Sequence, residues 1–250
     1  MRYFLEFSYN GKAYHGWQRQ PNVITVQEVL EKALCTLLRT ELEVTGAGRT
    51  DTGVHAREMF AHFDFEMIDE RDDLVYRLNS LLPEDIAVKG IHVMLPEAHA
   101  RFDALSRSYE YHITRVKDPF LTDFAYRLKS NPDMELMNQA ANMLLNYDNF
   151  KCFSRSNTDV KTYICNVTKA EWVKNGDAMI FHISADRFLR NMVRAVVGTL
   201  LEVGSGRISI AEFETIINSQ DRRKAGASAP AHGLYLTRVE YPRSIFKKYE

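Results

Sequence analysis

Hydrophobic and polar residues alternate in several short segments of the chain, which is the pattern of β-strands with one buried face. In residues 2–9 the alternation places Tyr3, Leu5, Phe7 and Tyr9 on one side. Similar patterns predict further strands over about 42–45, 58–65, 86–94, 107–116, 162–174, 178–185 and 234–241.

Helical periodicity and turn signals separate these strands. Thr25 and Ser209 each precede a glutamate by three residues, the spacing of a capping box, so each is expected to start a helix. Asn131-Pro132 is expected to begin another, and Asn175-Gly176 predicts a β-hairpin. The predicted helices cover about 25–38, 70–82, 134–145 and 187–203, with a short one after Ser209.

The order of elements is β-α-β-β-α-β in the first half of the chain, and the second half repeats that order. We therefore expect an α+β fold of two tandem ferredoxin-like halves with mostly antiparallel sheets. The seam lies near 95–106, which divides the chain into domains 1–100 and 101–250. A central basic cleft between the halves is the expected ligand site.

Composition narrows the class of protein. The 250 residues include 32 basic and 33 acidic side chains, for a net charge of −1, which excludes a polycationic binder but permits a locally basic groove. Three cysteines without a CxxC pair argue against a disulfide framework or structural zinc. No signal peptide or membrane-spanning run is recognisable, so we expect a soluble, cytoplasmic protein.

The segment 46–56, GAGRTDTGVHA, is the most unusual in the chain. Its three glycines permit positive φ and close approach of a partner. A carboxylate at Asp51 beside the guanidinium of Arg49 stays ionised, which suits a nucleophile or a base. The alternative is an Asx-turn in which Asp51 binds backbone amides.

A metal site built from His55, His62 and Asp64 is the other chemistry this region offers. These residues lack a further ligand at tight spacing, so structural or surface histidines are the better interpretation. The sequence predicts neither a metal nor a nucleotide cofactor.

Arginines indicate a polyanionic ligand. Arg187, Arg190 and Arg194 are spaced to share one face of the predicted helix 187–203, and Arg107 alternates with Tyr109 on a strand. Such a pattern suits phosphate binding with an aromatic ring for an unpaired base. The alternatives are a solvated helix face and a half-buried tyrosine.

Residues 48–56, GRTDTGVHA, resemble the catalytic loop of the TruA family of tRNA pseudouridine synthases. Other segments match the family's motifs in the same order along almost the whole chain. These segments are residues 9–20 with 26–30, 107–111, 188–198 and 230–236.

The resemblance implies roles for five residues. Asp51 is the expected nucleophile, and Arg194 is expected to pair with it and fix its orientation. Arg49 is expected to help extrude the target nucleotide, Tyr109 to stack on the target base and Leu234 to line the base pocket. Because the isomerisation neither gains nor loses electrons or phosphoryl groups overall, no nucleotide cofactor or metal is required.

The resemblance also implies a substrate and an assembly. The expected substrate is uridine at positions 38–40 of the tRNA anticodon stem-loop, bound by a homodimer. Arg107 and Arg190 are the expected contacts to the RNA. Membrane association is not expected.

Two other functions use the same residues. A non-catalytic RNA-binding protein needs the arginines and Tyr109 but has no use for the negative charge of Asp51. A hydrolase that cuts an N-glycosidic bond needs a second carboxylate, for which Asp64 and Asp186 are the nearest candidates.

Overall fold

A computed structural model describes residues 1–155 and 161–247. The chain forms two compact units, one of Met1–Ser106 with the segment from Leu236 onward, the other of Arg107–Tyr235. The strands pair mostly antiparallel and helices accompany them, so the fold is α+β as predicted. That residues 1–100 and 101–250 are two separate domains stays a prediction.

The described residues of the first unit contain sheet strands and two α-helices. Their bounds are β1 (Arg2–Tyr9), α1 (Val26–Leu38), β2 (Thr45–Gly46), β3 (His55–Asp64), α2 (Arg71–Leu81) and β4 (Ile86–Met94). Strand β1 pairs antiparallel with both β3 and β4, and β2 pairs with β3. The predicted strand at 42–45 is reduced to two residues, and the one at 58–65 begins earlier, at His55.

The core of this unit follows the predicted pattern. Tyr3, Leu5, Phe7 and Tyr9 are all buried. Helix α1 begins where Thr25 predicts, since the Thr25 hydroxyl accepts from the Glu28 amide, and the helix buries a row of aliphatic residues. Burial of each large aliphatic side chain contributes about 1.5–3 kcal/mol.

The described residues of the second unit contain sheet strands and three α-helices. Its elements are β5 (Ser106–Thr114), β6 (Tyr126–Arg127), α3 (Met134–Met143), β7 (Val167–Asn175), β8 (Ala178–Ala185), α4 (Met192–Gly204) and α5 (Ile210–Ser219), and β9 (Leu234–Glu240) starts in it and ends in the first unit. Strand β8 lies antiparallel between β5 and β7, and β6 is parallel to β5. The hairpin at Asn175-Gly176 is confirmed, with Gly176 at φ +59°.

Two helix starts differ from the prediction. Asp133, and not Asn131-Pro132, is the N-cap of α3, because its carboxylate accepts from the amides of Glu135 and Leu136. Helix α4 begins at Met192 instead of residue 187, because Asn191 has φ +66°, a left-handed conformation that interrupts a right-handed helix.

The later start of α4 corrects the predicted arginine face. Arg187 and Arg190 precede the helix, so they do not share a helical face with Arg194. The Asp186 carboxylate accepts from the Arg187 amide at 2.7 Å, which holds the chain at Arg187 outside the helix.

The capping box of Ser209 at the start of α5 is confirmed. Within the described residues, no helix has the length and apolar character that crossing a bilayer requires.

Candidate active site

Backbone hydrogen bonds close the loop that carries Asp51. The amide of Ala47 donates to the Phe60 carbonyl at 2.8 Å, and the Val54 amide donates to the Asp51 carbonyl at 3.1 Å. Gly53 has φ +78°, which permits the tight turn directly after Asp51. Asp51 is half-buried, whereas Arg49 is exposed.

The segment 9–17 supports this loop from the same unit. The hydroxyls of Tyr9 and Thr50 are 2.8 Å apart and buried. The Trp17 amide donates to the Thr50 carbonyl at 3.3 Å. Gly16 has φ +89°, and a Cβ there would lie 2.4 Å from the Thr50 carbonyl oxygen, so only glycine permits this approach. The residue before Asp51 is therefore held through both its side chain and its backbone.

His55 has a structural role in the same support. It is buried, and its Nδ1 accepts from the Gly11 amide at 3.1 Å. A Cβ on Gly11 would lie 2.0 Å from the Val54 carbonyl oxygen, so the two segments are in close backbone contact. This Nδ1 is committed to an amide, as the structural interpretation of the histidine predicts.

The other two residues considered for a metal site, His62 and Asp64, also have protein partners. His62 Nδ1 accepts from the Ala100 amide at 3.1 Å, and burial, with the neighbouring His99 and Arg2, lowers the pKa of His62 to about 4. Arg2 binds the Asp64 carboxylate through two hydrogen bonds of 2.9 and 2.7 Å. Among the described residues no group of three His, Cys, Asp or Glu side chains is arranged to hold a metal.

In the second unit, two tyrosines of β5 have different environments. Tyr111 is fully buried, and its hydroxyl donates to the Pro230 carbonyl at 2.8 Å; burial raises the pKa of this hydroxyl. Tyr109 is half-buried and meets Phe188 edge to face, with ring centroids 5.1 Å apart. Of these two tyrosines, Tyr109 is therefore the one that is partly accessible to solvent, and Leu234 is buried at the start of β9.

Arg194 lies in the first turn of α4 and is joined to Ala229 by two hydrogen bonds. Its Nε donates to the Ala229 carbonyl at 2.7 Å, and the Ala229 amide donates to the Arg194 carbonyl at 2.9 Å. Arg190 is exposed before the helix, and its carbonyl accepts from the Arg155 amide at 3.0 Å. The Ala229 carbonyl thus contributes to the direction of the Arg194 guanidinium.

Arg107 and Asp186 are joined at the ends of two strands. Nη1 of Arg107 donates to the Asp186 carbonyl at 2.7 Å, and the Asp186 carboxylate accepts from the amides of Asn166 and Arg187 at 2.7 Å each. Asp186 thus organises the end of β8, and Asp64 is bound by Arg2. Both candidate second carboxylates of a hydrolase have structural roles.

The predicted residues fall in two groups. Asp51 and Arg49 lie on one loop of the first unit, and the other five are all in the second unit: Tyr109, Arg107, Arg190, Arg194 and Leu234. The supporting partners Thr50 and Ala229 were not predicted. No local pattern identifies them, because each acts through a contact with a residue distant in sequence.

Comparison with known proteins agrees with the motifs. The chain matches the family described as tRNA pseudouridine synthase over residues 7–103 and 140–242. It is 53% identical over 248 residues to tRNA pseudouridine synthase A of Parabacteroides distasonis, with 98% of each chain covered. The corresponding protein of Bacteroides fragilis has the same identity and coverage. That of Bacillus subtilis is 38% identical over 245 residues, or 96% of this chain and 99% of that protein. The resemblance stated from the motifs is confirmed, and the chain belongs to the tRNA pseudouridine synthase family.

Proposed function

We propose that this protein isomerises uridine to pseudouridine at positions 38–40 of the tRNA anticodon stem-loop. The observation that carries the proposal is the environment of Asp51. It is a half-buried carboxylate on a glycine-containing loop, next to a residue fixed by Tyr9 and Trp17. A nucleophile must be held in position to act, and a fixed loop provides that.

The reaction requires a carboxylate and a base held outside the helix stack. The N1–C1′ bond breaks, the uracil turns, a C5–C1′ bond forms, and the hydrogen of C5 leaves as a proton. Asp51 acts either on C6, on C1′ or as a base on the ribose. Arg49 assists extrusion of the nucleotide, which costs a few kcal/mol, while Tyr109 stacks on the base and Leu234 lines its pocket.

Arg194 is proposed to keep Asp51 ionised, because a partly buried carboxylate without a positive partner tends to protonate. Arg190 and Arg107 are proposed contacts to RNA phosphates. For Arg190 the support is its exposure before α4. Arg107 is half-buried at the start of β5 and directs Nη1 to the Asp186 carbonyl.

The proposal includes the finer architecture and assembly. We propose that both halves are ferredoxin-like, supported in the first unit by the antiparallel arrangement of β1 between β3 and β4 with β2 beyond β3. We also propose a homodimer that binds tRNA in the cytoplasm without a membrane partner. Size measurement of the purified protein with and without tRNA tests the dimer.

The deciding experiment uses unmodified tRNA labelled with tritium at uridine C5, incubated with the protein and no added cofactor. Isomerisation releases the label to water, and we expect release by the native protein but not by Asp51→Asn. Free uracil in the mixture would instead indicate a hydrolase. Binding of tRNA without release of tritium would indicate a non-catalytic RNA-binding protein.

A further inference from the structure

The segment 221–229, called here the α4 clamp, lies against helix α4 at very short range. A Cβ on Gly198 would be 1.7 Å from the Ala227 carbonyl oxygen, so the helix can meet the clamp only with a glycine at this position. The Gly226 amide donates to the buried hydroxyl of Thr199 at 2.9 Å. The clamp is therefore packed on one defined turn of the helix.

Arg222 holds the clamp in shape from inside. Its Nη1 donates to the carbonyls of Gly226 at 3.0 Å and Ala225 at 3.3 Å, and its Nη2 donates to the Ser228 hydroxyl at 3.0 Å. The same hydroxyl accepts from Asn191 Nδ2 at 2.7 Å. One guanidinium thus joins three residues of the clamp, and Ser228 joins them to the residue that caps α4.

The neighbouring Arg223 is a natural contrast. Its side chain is 89% exposed and pairs with Asp221. The two arginines are adjacent in sequence and equal in charge. Only Arg222 is used in hydrogen bonds to the backbone of the clamp.

The clamp ends at Ala229, whose carbonyl accepts from Arg194 Nε at 2.7 Å and whose amide donates to the Arg194 carbonyl at 2.9 Å. A guanidinium is planar, so a partner on Nε fixes the direction of the whole group. The position of the Ala229 carbonyl therefore helps to set where the charge of Arg194 points. Ala229 directly follows Ser228, whose hydroxyl accepts from Arg222 Nη2 at 3.0 Å.

We infer that Arg222 is a positioning residue for Arg194: it shapes the clamp so that Ala229 aims the Arg194 guanidinium during isomerisation. The inference rests on the proposed function, in which Arg194 acts on the reaction. It assigns Arg222 to the rate of the chemical step and not to RNA binding, although a cationic residue in an RNA enzyme would ordinarily be taken as a phosphate contact.

The test compares Arg222→Gln with Arg223→Gln, which remove the same charge from adjacent positions. Three quantities are measured: the single-turnover rate of tritium release at saturating tRNA, the Kd for tRNA, and the dependence of that Kd on salt. For Arg222→Gln we expect a rate lower by roughly 10- to 100-fold, as for a misplaced catalytic group. Its Kd and salt dependence stay at the native values, and Arg223→Gln keeps the native rate.

A second pair of variants separates positioning from loss of fold. Ser228→Ala removes the hydroxyl that accepts from both Arg222 and Asn191 and leaves the charge of the clamp unchanged. It should therefore slow turnover in the same way, with an unchanged Kd for tRNA. In an Arg194→Lys background, Arg222→Gln should cost much less than it does in the native protein, because the group that it positions is already altered.

The outcomes are distinct. A native rate in Arg222→Gln, or a weaker Kd with a flatter salt dependence at native rate, overturns the inference and leaves the proposed function intact. If Arg222→Gln fails to fold, a native rate in Ser228→Ala overturns it equally. Absence of tritium release from the native protein overturns the proposed function and the inference with it.

Discussion

The hydroxyl groups of Tyr9 and Thr50 lie 2.8 Å apart in a buried position, so the end of strand β1 is joined directly to the residue that precedes Asp51. The pairing joins residues separated by about forty positions in the chain. It makes strand β1 a support for the loop that carries Asp51, in addition to its part in the core.

Removing the Tyr9 hydroxyl should affect both stability and turnover. In Tyr9→Phe the Thr50 hydroxyl loses a buried partner, which should lower the free energy of unfolding by about 1–3 kcal/mol. The loop should also be less well placed, so single-turnover tritium release should slow at saturating tRNA. Tyr3→Phe is the control, because the Tyr3 hydroxyl accepts from Ile68 instead of supporting the loop. Equal slowing in both variants would show that lost stability, and not loop position, controls the rate.

Replacing Asp51 should separate chemistry from binding. Asp51→Asn keeps the shape of the side chain and removes its charge, so tritium release should fall by several orders of magnitude. Affinity for tRNA should be unchanged or tighter, because a negative charge near phosphates is lost. Filter binding and tritium release on the same preparation measure the two effects. Normal turnover in this variant would remove Asp51 from the mechanism.

Substitutions of Arg194 and Arg190 should affect different steps, turnover for Arg194 and tRNA binding for Arg190. Arg194→Ala removes a guanidinium aimed by the Ala229 carbonyl, and turnover should fall by orders of magnitude. Arg190→Ala removes an exposed charge ahead of α4, which should mainly weaken tRNA binding and flatten its salt dependence. Rates and affinities at several salt concentrations measure both. Equal effects on turnover would mean that the roles are wrongly assigned.

His62 should make stability depend on pH. The pKa of His62 in the folded protein is about 4, below its ordinary value of 6.5, because it is buried near His99 and Arg2. The unfolded chain therefore binds the proton more readily, so this contribution to stability is complete above pH 6.5 and is lost as the pH falls towards 4.

Urea unfolding across that pH range tests the assignment. His62→Gln provides an acceptor for the Ala100 amide that does not titrate, so its stability should fall less steeply than that of the native protein. The other titratable side chains are common to both proteins, so the difference in slope reports His62 together with its electrostatic coupling to His99 and Asp64. An identical slope in His62→Gln would show that His62 does not titrate in this window.

Local patterns predicted most elements but misplaced two helix starts. The alternation in residues 2–9 and the capping box at Ser209 depend on neighbouring residues, and both were confirmed. Helical periodicity extended α4 back to residue 187 because hydrophobic spacing does not report backbone dihedral angles. The left-handed conformation of Asn191 ends that pattern. The side-chain Nδ2 of Asn191 donates to the hydroxyl of Ser228, 37 residues later in the chain.

By itself, the sequence determined the α+β class, the family and which segment forms the loop around Asp51. Each of these depends on residue types at fixed spacing. Only the tertiary structure decided which tyrosine of β5 is core, which carboxylates are structural, and which backbone groups hold Thr50 and Arg194 in place. The physical reason is that spacing specifies local conformation and which residues are apolar. The partner of a hydroxyl, a guanidinium or a close-packed glycine is set by where distant segments meet when the chain folds.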